Sequence, residues 1–144
     1  MDIILGSDHA GFDLKEEIKG FLSERGGYRV KDVGTFSHES ADYPMIAHEV
    51  AKNISEKKFK RGLLVCGSGI GMSIVANRYR NVRAALCHNL YTVRLSRKHN
   101  DANILVLGGR ILGVGLALEM VDLFLSTDFE GGRHQRRVDQ IDVT

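Results

Sequence analysis

The chain alternates short, solid apolar runs with longer stretches of helical spacing, and that alternation leaves it very few folds. Residues 3–6, 62–66, 82–87 and 104–107 read as strands with few polar positions, and residues 28–33 alternate as a strand does. A strand that is apolar on both sides needs cover on both faces, as in a parallel sheet. Between the runs, residues 13–25 put Leu14, Ile18, Phe21 and Leu22 on one helical face ahead of Gly26-Gly27. Helical patterns also span residues 47–57, after the single proline Pro44, and residues 72–80, 91–99 and 114–125. A last helix is expected over residues 132–141. The order implies an α/β architecture: a single Rossmann-like domain over residues 1–144, with a parallel sheet of about five strands and helices on both faces.

Composition narrows the function classes. With 43% apolar residues, 144 residues can form one core without a disulfide or a metal. The two cysteines, Cys66 and Cys87, match no ligand spacing, so a reducing, cytoplasmic setting is expected. No apolar run nears the ~20 residues of a membrane helix, and the opening residues, acidic at Asp2, do not resemble a signal peptide. A formal net charge of +2 is too small to imply nucleic acid. Positive charge instead gathers at Arg133-His134-Gln135-Arg136-Arg137, which points to a local anion.

Ligands of doubly wound sheets sit beyond the carboxyl ends of the strands. The segments there are Ser7-Asp8-His9, residues 66–71, 87–89 and Gly108-Gly109-Arg110. Cys66-Gly67-Ser68-Gly69-Ile70-Gly71 lies between a strand and a helix, where glycines let amides turn toward an anion. It is not a dinucleotide fingerprint, because the third glycine comes one residue early and no acid ends the next strand. It lacks the lysine of a phosphate-binding P-loop, and Ser68 follows the first glycine too closely for a nucleophile elbow. A tight strand-to-helix turn accounts for such a loop equally well. Cys66 reads either as a small core hydrophobe or, facing amides at a helix start, as a thiolate-favouring base. Cys87 ends its strand with no such loop and reads as core.

Asp8 and His9 open onto the same crevice, although Asp8 equally suits a helix N-cap. His99, near a helix end, is placed to pass protons or to be a half-buried helix-end residue. Arg133 and Arg137, four apart, share a helix face and match a phosphate dianion, unless they are a solvated basic face. Arg110 can join that site. His38, His48, His88 and His134 form no ligand pattern, and no metal is expected.

Five motifs in this order resemble the type B ribose-5-phosphate isomerases across essentially the whole chain. They are Gly6-Ser7-Asp8-His9-Ala10-Gly11-Phe12, Asp42-Tyr43-Pro44, residues 66–73, Ser96-Arg97-Lys98-His99-Asn100 and residues 130–137. The resemblance implies a cofactor-free aldose–ketose isomerase of ribose 5-phosphate and ribulose 5-phosphate, acting as a homodimer or tetramer with a shared site. Cys66 is then the base, where some members use a glutamate farther along the loop; here Met72, Ser73 and Ile74 follow. It further implies that Gly67, Ser68, Gly69, Ile70 and Gly71 hold the enediolate oxygen. Asp8 and His99 open the sugar ring, Asn100 binds a hydroxyl, and His9, Arg110, Arg133 and Arg137 contact phosphate. Tyr43 belongs to the same substrate-binding set. Isomerases of allose 6-phosphate and galactose 6-phosphate share the family, so a six-carbon substrate is the rival, followed by a non-catalytic phosphosugar-binding module.

Overall fold

The computed structural model describes residues 1–143. Five strands, β1 (Asp2–Ser7), β2 (Arg29–Asp32), β3 (Arg61–Cys66), β4 (Ala84–Leu86) and β5 (Ile104–Gly108), form one sheet in the order β2-β1-β3-β5-β4. Every pairing is parallel, as the apolar runs require. The helices are α1 (Phe12–Arg25), α2 (Tyr43–Ser55), α3 (Ile70–Ala76), α4 (Leu90–Lys98), α5 (Val114–Ser126) and α6 (Arg133–Val138).

Side chains alternate across the sheet, and both faces are dry. Leu63 and Val65 of β3 join Ile3, Leu5, Leu105 and Leu107 beneath α1, α4 and α5. Leu64 and Cys66 join Ile4, Ile104 and Val106 beneath α2 and α3. Each fully buried branched or aromatic side chain in these layers contributes about 1.5–3 kcal/mol. In α5, Ala117, Met120, Val121 and Phe124 pack into the core while Val114 and Leu116 stay exposed, so this apolar helix is mainly core.

The right-handed rule for parallel crossovers sorts the helices. Steps from β1 to β2 and from β4 to β5 run one way along the sheet, with α1 and α4 on one face. Steps from β2 to β3 and from β3 to β4 run the other way, with α2 and α3 opposite. The chain therefore leaves β1 and β5 for one face and β3 for the other. A groove opens on each side of the carboxyl end of β3, and its last residue is Cys66.

Several boundaries depart from the sequence pattern. Helix α2 starts at Tyr43, four residues before the expected Ala47, because Pro44 falls inside the first turn, where a missing N–H costs nothing. Helix α3 runs from Ile70 to Ala76 rather than over residues 72–80. It stops early because the Asn77 side chain turns to the Ala84 backbone, accepting from its N–H at 2.8 Å and donating to its oxygen at 2.9 Å. Strand β4 is only three residues long, and α6 spans Arg133–Val138 instead of residues 132–141.

Candidate active site

Three loops meet at the carboxyl end of β3. Asp8, His9 and Ala10 come from behind β1, Cys66, Gly67, Ser68 and Gly71 from behind β3, and Arg110 and Ile111 from behind β5. Tyr43 closes one wall from the first turn of α2, and the open crevice is about 450 Å³. Backbone bonds tie the loops together: Gly109 N–H donates to Cys66 O at 2.7 Å and Arg110 N–H to Gly67 O at 3.0 Å. A Cβ at Gly71 would meet the Tyr43 ring at 2.5 Å, so a larger residue there displaces that ring.

Cys66 has two surroundings at once. Its side chain is 5% exposed and packs with Met72 and Val106, yet it forms part of the cavity wall. Its Sγ accepts the Gly69 N–H at 3.1 Å. Gly69 adopts φ 80°, a left-handed conformation natural to glycine, and this turns its amide back onto the sulfur. That amide is the hydrogen-bond donor the loop gives the sulfur. The loop also bonds to itself, Ile70 N–H to Ser68 Oγ at 3.2 Å. Gly69 and Ile70 consequently support the crevice from behind, and the Ile70 side chain faces solvent. Cys87 lies in the opposite layer, where burial pushes its thiol up against the weaker pull of Thr92 and Ser96.

Both readings of Asp8 hold. It caps a short 3₁₀ turn, His9–Gly11, with Oδ1 accepting the Gly11 N–H at 3.1 Å, and it also lines the crevice. His9 Nδ1 accepts the Ala41 N–H at 3.1 Å, so the neutral imidazole carries its proton on Nε2.

His99, Asn100, Arg133 and Arg137 lie elsewhere. Helix α4 runs antiparallel to the strands, so its end, capped by His99, reaches the start of β5, opposite Cys66. The His99 ring stacks on His134 at 4.2 Å and 12°, with Nε2 3.5 Å from Glu130 Oε1. Asn100 faces a different cavity of about 550 Å³, with Arg83, Ser96 and the tail residues Ile141 and Val143. That cavity is larger but lacks both the thiol and the glycine loop. Arg133 and Arg137 are exposed on α6. One chain thus splits the expected residues into two groups at opposite ends of the sheet.

Ligand atoms of His99, Glu130 and His134 lie within 4.8 Å of one another, a cluster that sequence spacing did not reveal. Near-parallel stacked imidazoles direct their in-plane lone pairs side by side instead of toward one ion, so the arrangement suits stacking better than chelation. Burial pushes the His134 imidazole down, helped by the neighbouring His99 and Arg133 charges. Sequence reasoning also missed Ala10 and Ile111 in the crevice wall. Their only signal was adjacency to His9 and Arg110.

Fold and crevice define a doubly wound α/β protein with a thiol-bearing glycine loop at its switch point. The Ribose/Galactose Isomerase family model matches residues 3–141, and the chain belongs to that family. It is 47% identical over 139 residues to ribose-5-phosphate isomerase B of Escherichia coli (strain K12), covering 96% of this chain and 93% of that protein. It superposes on the Thermotoga maritima ribose 5-phosphate isomerase crystal structure with a TM-score of 0.94 at 53% identity, covering 98% and 97% of the two chains. It is also 39% identical over 145 residues to D-erythrulose-4-phosphate isomerase of Pectobacterium atrosepticum, covering 98% and 93%. Among the described residues, no helix is long and apolar enough to cross a membrane.

Proposed function

We propose that this protein, as one domain over residues 1–144, interconverts ribose 5-phosphate and ribulose 5-phosphate, with Cys66 moving a proton between C2 and C1. The observation that carries the assignment is the Cys66 sulfur itself, nearly dry, in the crevice wall, with the Gly69 amide 3.1 Å away. The thiolate removes the C2 proton of the open-chain aldose. Charge develops on O1, the 2-hydroxyl proton passes to O1, and the thiol returns its proton to C1, giving the ketose with no net change in atoms or electrons. The Gly69 and Ile70 amides are already engaged, so the Gly67, Ser68 and Gly71 amides are left for the oxyanion, each such donor typically worth a few kcal/mol. His9 presents its Nε2–H, and Arg110 its guanidinium, to the phosphate. Asp8 and Tyr43 bind the sugar from the crevice wall, Asp8 also assisting ring opening. This chemistry uses no cofactor.

His99, Asn100, Arg133 and Arg137 reach that crevice from a second copy of the chain. The split between the two ends of the sheet supports this reading, because an isologous pair of antiparallel copies sets each crevice against the partner's α4–α6 end. The two free, buried cysteines support a reducing, cytoplasmic setting.

Mixing two dead variants tests both points. Cys66→Ala and His99→Asn should each lose turnover of ribose 5-phosphate. After mixed refolding, half the dimers are hybrids, each with one intact site, so about a quarter of wild-type activity returns. No recovery would refute the shared site, and full turnover by Cys66→Ala would refute the base. The Pectobacterium relative favours including a shorter substrate, so erythrulose 4-phosphate belongs in the assay beside allose 6-phosphate and galactose 6-phosphate.

A further inference from the structure

At the amino ends of β3, β4 and β5 lies a second polar cavity of about 350 Å³, unrelated to the crevice. The length of β3 separates the two, roughly 17 Å at the usual rise per residue. Lys57, Lys60, Arg61 and Arg83 line it, and Asp101 is the one carboxylate in its wall. Asp101 is already shared: Oδ1 accepts from the buried Arg97 at 2.8 Å, and Oδ2 lies 3.3 Å from Arg83. Positive charge therefore exceeds negative charge around the cavity.

The hydrogen bonds are unbalanced in the same direction. Arg61 donates from Nη1 to Lys60 O at 2.9 Å, but its buried Nε has no partner among the described residues. Leaving a buried charged donor unmet costs more than a neutral hydrogen bond returns, so such a group calls for a ligand. Burial lowers the Arg61 pKa and the nearby Arg97 charge adds to it, while Asp101 and Asp128 pull partly the other way. Every non-glycine residue with positive φ among those described, Lys57, Asn81 and Asp101, also lines this cavity. All three sit where a helix turns into a strand, and Lys57 closes α2, its N–H on Ile54 O at 2.9 Å and the Lys58 N–H on Asn53 O at 3.0 Å. At the rim the Asn81 N–H is taken by a carboxylate oxygen of Asp142 at 3.0 Å, so an anionic oxygen already docks there.

We propose that this cavity is a second anion site that takes a phosphate dianion, held by Arg61, Lys57, Lys60 and Arg83. Ile54 and Phe59 give it an apolar side able to receive the organic part of a phosphate monoester. The site is independent of the isomerase reading and stands or falls separately.

The test is an amide NMR titration of the whole protein with inorganic phosphate, ionic strength held constant with chloride. One set of shifts is expected at Arg61, Asn81, Arg83 and Asn103, saturating separately from any shifts at residues 67–71. Arg61→Met keeps the aliphatic stem, and Lys60→Met alters a solvated position. Each should weaken binding at the first set about tenfold, as loss of a charge-assisted contact does, without moving the second set. A parallel titration with phenyl phosphate separates the sources: tighter binding marks a monoester, equal binding free phosphate. The proposal is overturned if the first set stays still, if chloride alone moves it equally, or if both variants titrate as wild type.

Discussion

Lys15 is fully buried in α1, and its removal should destabilise the fold far more than loss of an ordinary surface charge. Its ammonium sits 2.8 Å from both oxygens of Asp32 and bonds Thr35 O, while Phe12 and Phe36 cover it with rings 5.4 and 4.8 Å away. In Lys15→Met the stem volume is kept, but Asp32, whose side chain is only 10% exposed, loses its main counter-ion. Breaking a buried pair costs about 3–5 kcal/mol. Lys19, 2.9 Å from Asp32, still partly neutralises it, so the lower end, about 3 kcal/mol, is the better figure. At this chain length that corresponds to a melting temperature lower by about 10 °C in calorimetry. The pH dependence gives a second readout. Burial pushes the Asp32 carboxyl up, but bonds from Lys15, Lys19 and the Gly34 N–H outweigh it and hold the carboxyl below its ordinary value. Its folded pKa is thus depressed, so its stabilisation is complete above the unfolded carboxylate pKa and fades as pH falls through the folded value. The gap between wild type and variant should therefore be widest near neutrality and close in acid. A melting-temperature loss under about 3 °C, or a gap that widens in acid, refutes the reasoning.

Three further outcomes follow from local geometry. Gly71→Ala forces the Tyr43 ring aside, and overpacking of this kind costs about 1–3 kcal/mol; steady-state kinetics should show a raised KM together with a lowered melting temperature. Asn89→Ala removes the cap that accepts the Thr92 N–H at 2.8 Å, costing about 1 kcal/mol in denaturant unfolding with kcat unchanged. On the proposed shared site, Arg137→Ala should mainly raise KM for ribose 5-phosphate, because a phosphate contact remote from the reacting carbons binds substrate and transition state alike.

Sequence alone was enough for the sheet, because strands buried on both faces must be apolar throughout, and residues 62–66 and 104–107 could be little else. The same holds for the crevice loops, which lie wherever a strand ends. It could not separate the two cysteines by residue type. The glycine loop after Cys66 sets it apart in the sequence, and the structure adds that Cys66 faces α2 and α3 while Cys87 packs in the opposite layer. Nor could it show that Asp8 both caps a turn and lines a cavity, since one carboxylate has oxygens enough for each task.

Distances through space were the remaining gap. Periodicity places Arg133 and Arg137 on one helix face, but it carries no information about which end of the sheet that helix meets. The antiparallel course of α4 places His99 far from Cys66, and the stacking of His99 on His134 joins segments more than thirty residues apart. The cavity around Arg61 belongs to the same class: its four cations come from two separate turns, and only packing brings their like charges together. Local patterns settled which elements form; long-range packing decided which side chains share a site.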